Sequence, residues 1–205
     1  MAEIANGRAA RRAIGGVDPG SGVPAAGAEA VWVWDTDSPV GRLGLALTEA
    51  GLRRLTFLPP GVAGRADGDV EELAATMAVT VSPRVTVAAA PLDGMRRQLD
   101  DYFAGRLRGF DVEVDWRDSA GFYRRALEVT AAIPYGGTRS YADVAASAGS
   151  PRAARAVGTA MATNPVALVV PCHRVVRADG RRGPYGGGTA AKDLLLDLEA
   201  SVSGN

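Results

Sequence analysis

The chain has 205 residues, 47% of them hydrophobic, enough for one large domain or two small ones with real cores. Its 23 basic and 23 acidic residues cancel, which argues against a general polyanion binder. One cysteine and one histidine exclude an internal disulfide and the usual four-ligand Cys/His zinc site, and no cofactor is expected. No apolar run approaches the ~18 residues of a membrane span, and Arg11-Arg12 is not followed by the hydrophobic stretch of a secretory signal, so the expected location is cytoplasmic.

Residues 1–29 are rich in Ala, Gly and Arg without periodicity and are expected to form a disordered tail. From Ala30 short apolar runs (Val31 to Trp34, Gly44 to Leu47, Leu52 to Leu58) alternate with turn-formers, the pattern of a small antiparallel sheet. A Gly-rich loop over 61–69 precedes a helix over 70–79. A stronger helix covers 91–104, with Leu92, Met95, Leu99 and Phe103 on one face. After a linker at 115–119 comes a third helix, 122–133, stopped by Pro134 and Gly136-Gly137.

Ser140 is placed to cap a helix over 141–148, Gly149 to make a turn, and Ser150-Pro151 to start a second helix that runs to Thr163. Two helices joined by a glycine turn have the form of a helix-turn-helix. Ala154, Val157 and Met161 form the inward stripe of the second helix, while Arg152 and Arg155 share another face with Ala156. Between Arg139 and Tyr185 there are seven arginines against two aspartates, a localised basic segment on a neutral chain. Residues 167–170 read as a buried strand that delivers Pro171-Cys172-His173-Arg174-Val175-Val176, and 190–200 as a terminal helix.

A free thiol with a pKa near ~8.5 is only about 3 per cent ionised at neutral pH, so a nucleophilic Cys172 needs a base. His173 adjoins it, but neighbours in a strand point to opposite faces. Contact therefore requires a turn or a bridging water. Glu199 is the candidate to orient the imidazole, with Asp193 and Asp197 as alternatives.

The segment Pro171-Cys172-His173-Arg174-Val175-Val176 resembles the acceptor-site signature of the O6-alkylguanine-DNA alkyltransferases. Asp35 to Gly41, Tyr102-Phe103-Ala104-Gly105-Arg106, Ile133 to Tyr141 and Ala153 to Gly158 resemble family segments in the same order, so the likeness spans about residues 30–200. It implies an α+β fold with a small N-terminal α/β domain carrying an antiparallel sheet (30–115) and a C-terminal winged helix-turn-helix domain (119–203). It also implies single-turnover transfer of the alkyl group from O6-alkylguanine in double-stranded DNA to Cys172, with O4-alkylthymine left open as a second substrate.

Carried over by position, the resemblance makes Cys172 the acceptor, activated by His173 and Glu199 through a water. Asn164 holds the active-site turn and Tyr141 donates a proton. Arg155 fills the gap left by a flipped base, and Arg152, Ala156 and Arg174 contact DNA along the minor groove. Tyr141, Met161, Val175, Tyr185 and Gly186 line the base pocket. No metal and no membrane partner is implied, and a monomer is expected, with cooperative assembly on DNA left open. Tyr123, Leu127 and Ala190-Ala191 depart from the family pattern, which puts substrate range in doubt but not the reaction. Three rivals remain at this point: a lesion-flagging relative, which lacks the cysteine; a winged-helix regulator, which leaves Cys172 and His173 idle; and a cysteine hydrolase, which turns over repeatedly.

Overall fold

In the computed structural model the described residues are 12–13, 28–58 and 70–203. Three strands, β2 (Ala30–Thr36), β3 (Leu43–Thr48) and β4 (Gly51–Phe57), form the expected antiparallel meander. Helix α1 (Val70–Thr80) then crosses over so that β5 (Arg84–Val87) runs parallel to β2, and the sheet is mixed rather than purely antiparallel. A two-residue strand, β1 (Arg12–Ala13), pairs with the far side of β5. It falls in the segment expected to be a tail, whose residues 1–11 and 14–27 lie outside the described residues, as does the expected loop at 61–69.

Alternation decides which side chains face where, because successive residues of a strand point to opposite faces. Val31, Val33 and Ala46 meet Val70, Leu73, Ala74 and Met77 of α1 on one face. Leu43, Leu45, Leu52 and Leu55 join the larger core on the other. The outer edge of β4 is covered by two later segments. Leu52 exchanges backbone hydrogen bonds with Glu113 and Asp115 (2.8 and 3.0 Å), and Leu55 with Pro165 and Ala167 (both 2.9 Å). An open edge is thereby closed, and the chain just before Cys172 is tied to the sheet. Gly51 permits the approach, since a Cβ there would lie 2.4 Å from the Glu113 carbonyl oxygen.

Helix α2 (Asp93–Phe103) follows a 3-10 turn at Ala90–Leu92, so the helix expected over 91–104 begins later. Its core stripe is Met95, Leu99 and Tyr102, with Phe103 only half-buried. The expected linker is pinned: Asp115 is buried and bonded to Arg53 (3.1 Å), Thr48 (2.9 Å) and Arg117. Burial alone would raise its pKa, but the hydrogen bonds from Arg117 and Thr48 and the Arg53 charge hold it well below the usual carboxylate range.

Helix α3 (Gly121–Ala131) leads to β6 (Arg139–Ser140) and helix α4 (Tyr141–Ser147), which starts in a capping box between Ser140 and Asp143. Gly149 makes the turn at φ +78°, as expected. The next helix, α5 (Ala154–Ala162), starts four residues after Ser150 because residues 150–153 close a separate turn, Ala153 N to Ser150 O at 2.9 Å. Arg152 is therefore off the helix, and Ala160 joins Val157 and Met161 in the core while Ala154 is half-exposed. Helix α6 (Gly188–Ser203) turns Lys192, Leu195 and Glu199 inward at spacings of three and four, burying two charged residues on its core face.

Candidate active site

The segment before the cysteine is not a strand. Ala167 and Val170 bridge across a tight turn in which Leu168, fully buried, takes φ 68°, a conformation a leucine adopts only when its surroundings hold it. Asn164 braces the turn from inside: its Oδ1 accepts from Val166 N (3.1 Å) and its Nδ2 donates to the Val170 carbonyl (2.8 Å). Cys172–Arg174 then form a 3-10 turn before β7 (Val175–Val176), which pairs parallel with β6. A helical turn removes the opposite-face geometry expected of a strand and buries Cys172, His173 and Arg174 together.

Behind the turn stands Glu199. His173 Nε2 lies 2.9 Å from its Oε1, Arg174 donates Nε to Oε2 (2.9 Å) and a terminal nitrogen to Oε1 (2.8 Å), and Gly136 N donates to Oε2 (3.0 Å). Tyr102 donates its hydroxyl to Oε1 at 2.7 Å. The alternatives are excluded, because Asp193 and Asp197 lie on the outer face of α6, paired with Arg182 at 3.0 and 2.5 Å. Burial would raise the Glu199 pKa, but the His173 and Arg174 hydrogen bonds bring it down to about 2. Burial also depresses the His173 pKa against the pull of Glu199, so the resting imidazole is neutral. With Nε2 engaged by Glu199, Nδ1 is the ring's free acceptor, buried and without a protein partner among the described residues.

Burial pushes the Cys172 thiol up, while a hydrogen bond from Asn164 and the Lys192 charge draw it down. Lys192 is fully buried, its Nζ donating to the Val175 carbonyl at 2.7 Å, and desolvation lowers its pKa to about 8. The site thus holds a protonated thiol, a neutral base and a fixed anion behind the base, the parts of an activated nucleophile.

Cys172 lines a pocket of about 90 Å³, partly open to solvent, whose walls also include Met161, Tyr185 and Gly186. Val175 is not among them; it is core, with its carbonyl committed to Lys192. Tyr141, half-buried at the start of α4, is outside the lining but close enough for a charge on Cys172 to raise its pKa after burial does. The sequence reading missed the opposite wall, Leu55, Thr56 and Phe57 of β4. Phe57 packs edge-on to Tyr185 (centroids 5.3 Å), and a Cβ at Gly187 would meet it at 2.6 Å.

Of the residues expected at DNA, Arg155 and Arg152 are exposed and Ala156 is half-exposed, whereas Arg174 is buried. Its guanidinium is spent on Glu199 and on the Ile133 carbonyl (2.6 Å), so it offers no charge at the surface. Arg181 and Arg182 are paired with acids as well. Arg139, Arg152, Arg155 and Arg177 remain exposed without a salt bridge among the described residues.

Two family models match in tandem: the ribonuclease-like domain of 6-O-methylguanine DNA methyltransferase over residues 35–116 and its DNA binding domain over 121–201. A methylated-DNA–protein-cysteine methyltransferase of Mycolicibacterium paratuberculosis is 42% identical over 163 residues, covering 80% of this chain and 88% of the relative. The chain belongs to the methylated-DNA–protein-cysteine methyltransferase family. A family member from Methanosarcina barkeri is 34% identical over 80% of this chain and 93% of its own. Among solved structures, the O6-methylguanine methyltransferase of Mycobacterium tuberculosis superposes with a TM-score of 0.68 at 39% identity, over 83% of this chain and 93% of that one. The Mycobacterium tuberculosis protein in complex with DNA gives 0.66 at 38% identity, over 83% and 94%. The two family models together run from the end of β2 to α6, and the second contains Cys172.

Proposed function

We propose that this protein is a single-use DNA-repair enzyme that takes the alkyl group from O6-alkylguanine in duplex DNA onto Cys172. The observation that carries the reading is Cys172 in the pocket lining with the His173–Glu199 pair beside it. Residues 30–115 and 119–203 act as two units, the first closing one wall of the pocket and the second gripping DNA.

In a duplex the alkylated oxygen lies inside the stack, so the nucleotide must turn out at a cost of a few kcal/mol. Arg155, exposed in the first turn of α5, fills the gap, and Arg139, Arg152 and Arg177 meet phosphates. Helix α5 enters the minor groove, where the hydrogen-bonding code is degenerate and sequence matters little. The enzyme works as a monomer.

His173 Nδ1 takes the thiol proton through a water, and Glu199 stabilises the imidazolium. The thiolate attacks the alkyl carbon, the S–C bond forms as the C–O bond breaks, and Tyr141 gives a proton to the departing guanine. A thioether has no electrophilic carbonyl for water to attack, so each molecule reacts once.

Incubation with a duplex carrying O6-methylguanine, followed by intact mass measurement, is expected to show a gain of about 14 Da on Cys172, saturating at one per protein. A Cys172→Ser protein that still demethylates DNA would refute the proposal. Removing the far wall should change substrate range: Phe57→Ala is expected to favour O6-benzylguanine over O6-methylguanine by about tenfold, since filling a side-chain-sized gap contributes one to a few kcal/mol. Parallel single-turnover rates on the two lesions check this, and an unchanged ratio counts against a role for Phe57.

A further inference from the structure

The residues assigned to the transfer come from the last third of the chain, yet a donor to Glu199 comes from the N-terminal half. Tyr102 belongs to α2, 97 residues earlier, and its hydroxyl meets the same carboxylate oxygen that His173 uses. It is fully buried. Its ring is hemmed by Phe103, Phe110 and Tyr135, with centroids at 5.4, 5.2 and 6.0 Å, so the hydroxyl has little freedom to swing away.

We propose that Tyr102 is a positioning residue for the transfer, its hydroxyl holding Glu199 Oε1 where His173 Nε2 meets it. The proposal rests on the function argued above. Arg174 and Gly136 also grip the carboxylate, and Tyr102 ties the imidazole-bearing oxygen to the N-terminal half of the chain.

The hydroxyl also tempers charge. A phenolic O–H on Oε1 draws off part of the negative charge that would otherwise pull on the His173 proton, which keeps the imidazole neutral and ready to act as a base. Among the described residues, the titratable or charged groups facing this pair include Cys172 and Arg174 from the turn, Tyr135 from the segment after α3, Tyr185 from the pocket, and Lys192 from α6. None of these five lies in the N-terminal half.

His173 is the chain's only histidine, so a nitrogen-15 label on histidine reports it alone. In Tyr102→Phe the His173 titration is expected to move to higher pH, and the acid limb of the pH profile for Cys172 methylation to move with it. The rate at pH 7 should fall about tenfold, the scale of one hydrogen bond to a charged acceptor. Tyr135→Phe removes a buried hydroxyl that has no protein partner among the described residues, from the same aromatic cluster, and is expected to leave both readouts in place. Identical His173 titrations in Tyr102→Phe and the unaltered protein, an equal shift in both variants, or a Tyr102→Phe chain that fails to fold would each overturn the positioning role. Failure of the unaltered protein to take up a methyl group would sink the repair reading instead, and the histidine titration would still decide whether Tyr102 governs the pair.

Discussion

Glu199→Gln is expected to slow methylation of Cys172 by about a hundredfold or more and to cost the fold about 3 kcal/mol. Gln has the same shape, but it offers one acceptor oxygen where the carboxylate offers two. Tyr102, His173, Arg174 and Gly136 all donate to this group, so an amide N–H2 must face at least one of them. Arg174, 6% exposed, is left as a buried cation without its counter-charge, the costliest kind of broken pair. The imidazolium formed during transfer also loses its anion.

The pH dependence follows from the same group. Its pKa is lowered from 4.5 to about 2 on folding, so its contribution is fully present above 4.5 and is lost as pH falls through about 2. The stability gap between the unaltered protein and the variant, read from denaturant midpoints, should therefore shrink across that window. A variant as stable and as reactive as the parent would show that Glu199 is not the anchor of the site.

Lys192→Met is expected to do the opposite to stability while harming the reaction. A fully buried lysine with a pKa of about 8, against 10.5 in the open, is charged at neutral pH at the fold's expense. The sign is that of a depressed base. The penalty, about 3 kcal/mol at most, is complete below pH 8 and disappears as pH rises towards 10.5. Methionine fills similar space without charge, and the lost hydrogen bond to the Val175 carbonyl returns about 1 kcal/mol of that, leaving a net gain near 2 kcal/mol at pH 7.

The reaction should suffer because the Lys192 charge draws the Cys172 thiol pKa down. Without it the thiolate fraction at pH 7, and with it the methylation rate, is expected to fall about tenfold. Alkylation of the sole cysteine with iodoacetamide across pH gives the Cys172 pKa directly, and thermal melts at pH 7 and pH 10 give the stability. A less stable variant at pH 7 with an unchanged thiol pKa would show that the lysine serves packing alone.

Local chemistry made much of this protein readable from its residues. The capping box at Ser140 and Asp143, the left-handed Gly149, the alternating apolar strands and the buried stripes of the helices are decided within a few residues, because caps, turn angles and periodicity depend on near neighbours. The acceptor segment Pro171 to Val176 was legible through its resemblance to a family signature.

What escaped was set by partners far along the chain. Spacing could not separate Glu199 from Asp193 and Asp197, since only packing shows which face of α6 turns inward. Arg174 read as a surface charge because its counter-ion lies 25 residues away. The strand expected before Cys172 is a turn because Asn164 and the β4 edge take up its backbone groups. Phe57 carried no local mark of the site, and Tyr102 was marked only as part of a family segment with no role attached, because a side chain becomes pocket wall or hydrogen-bond donor only when folding brings an apolar stretch of sheet or helix against chemistry encoded elsewhere.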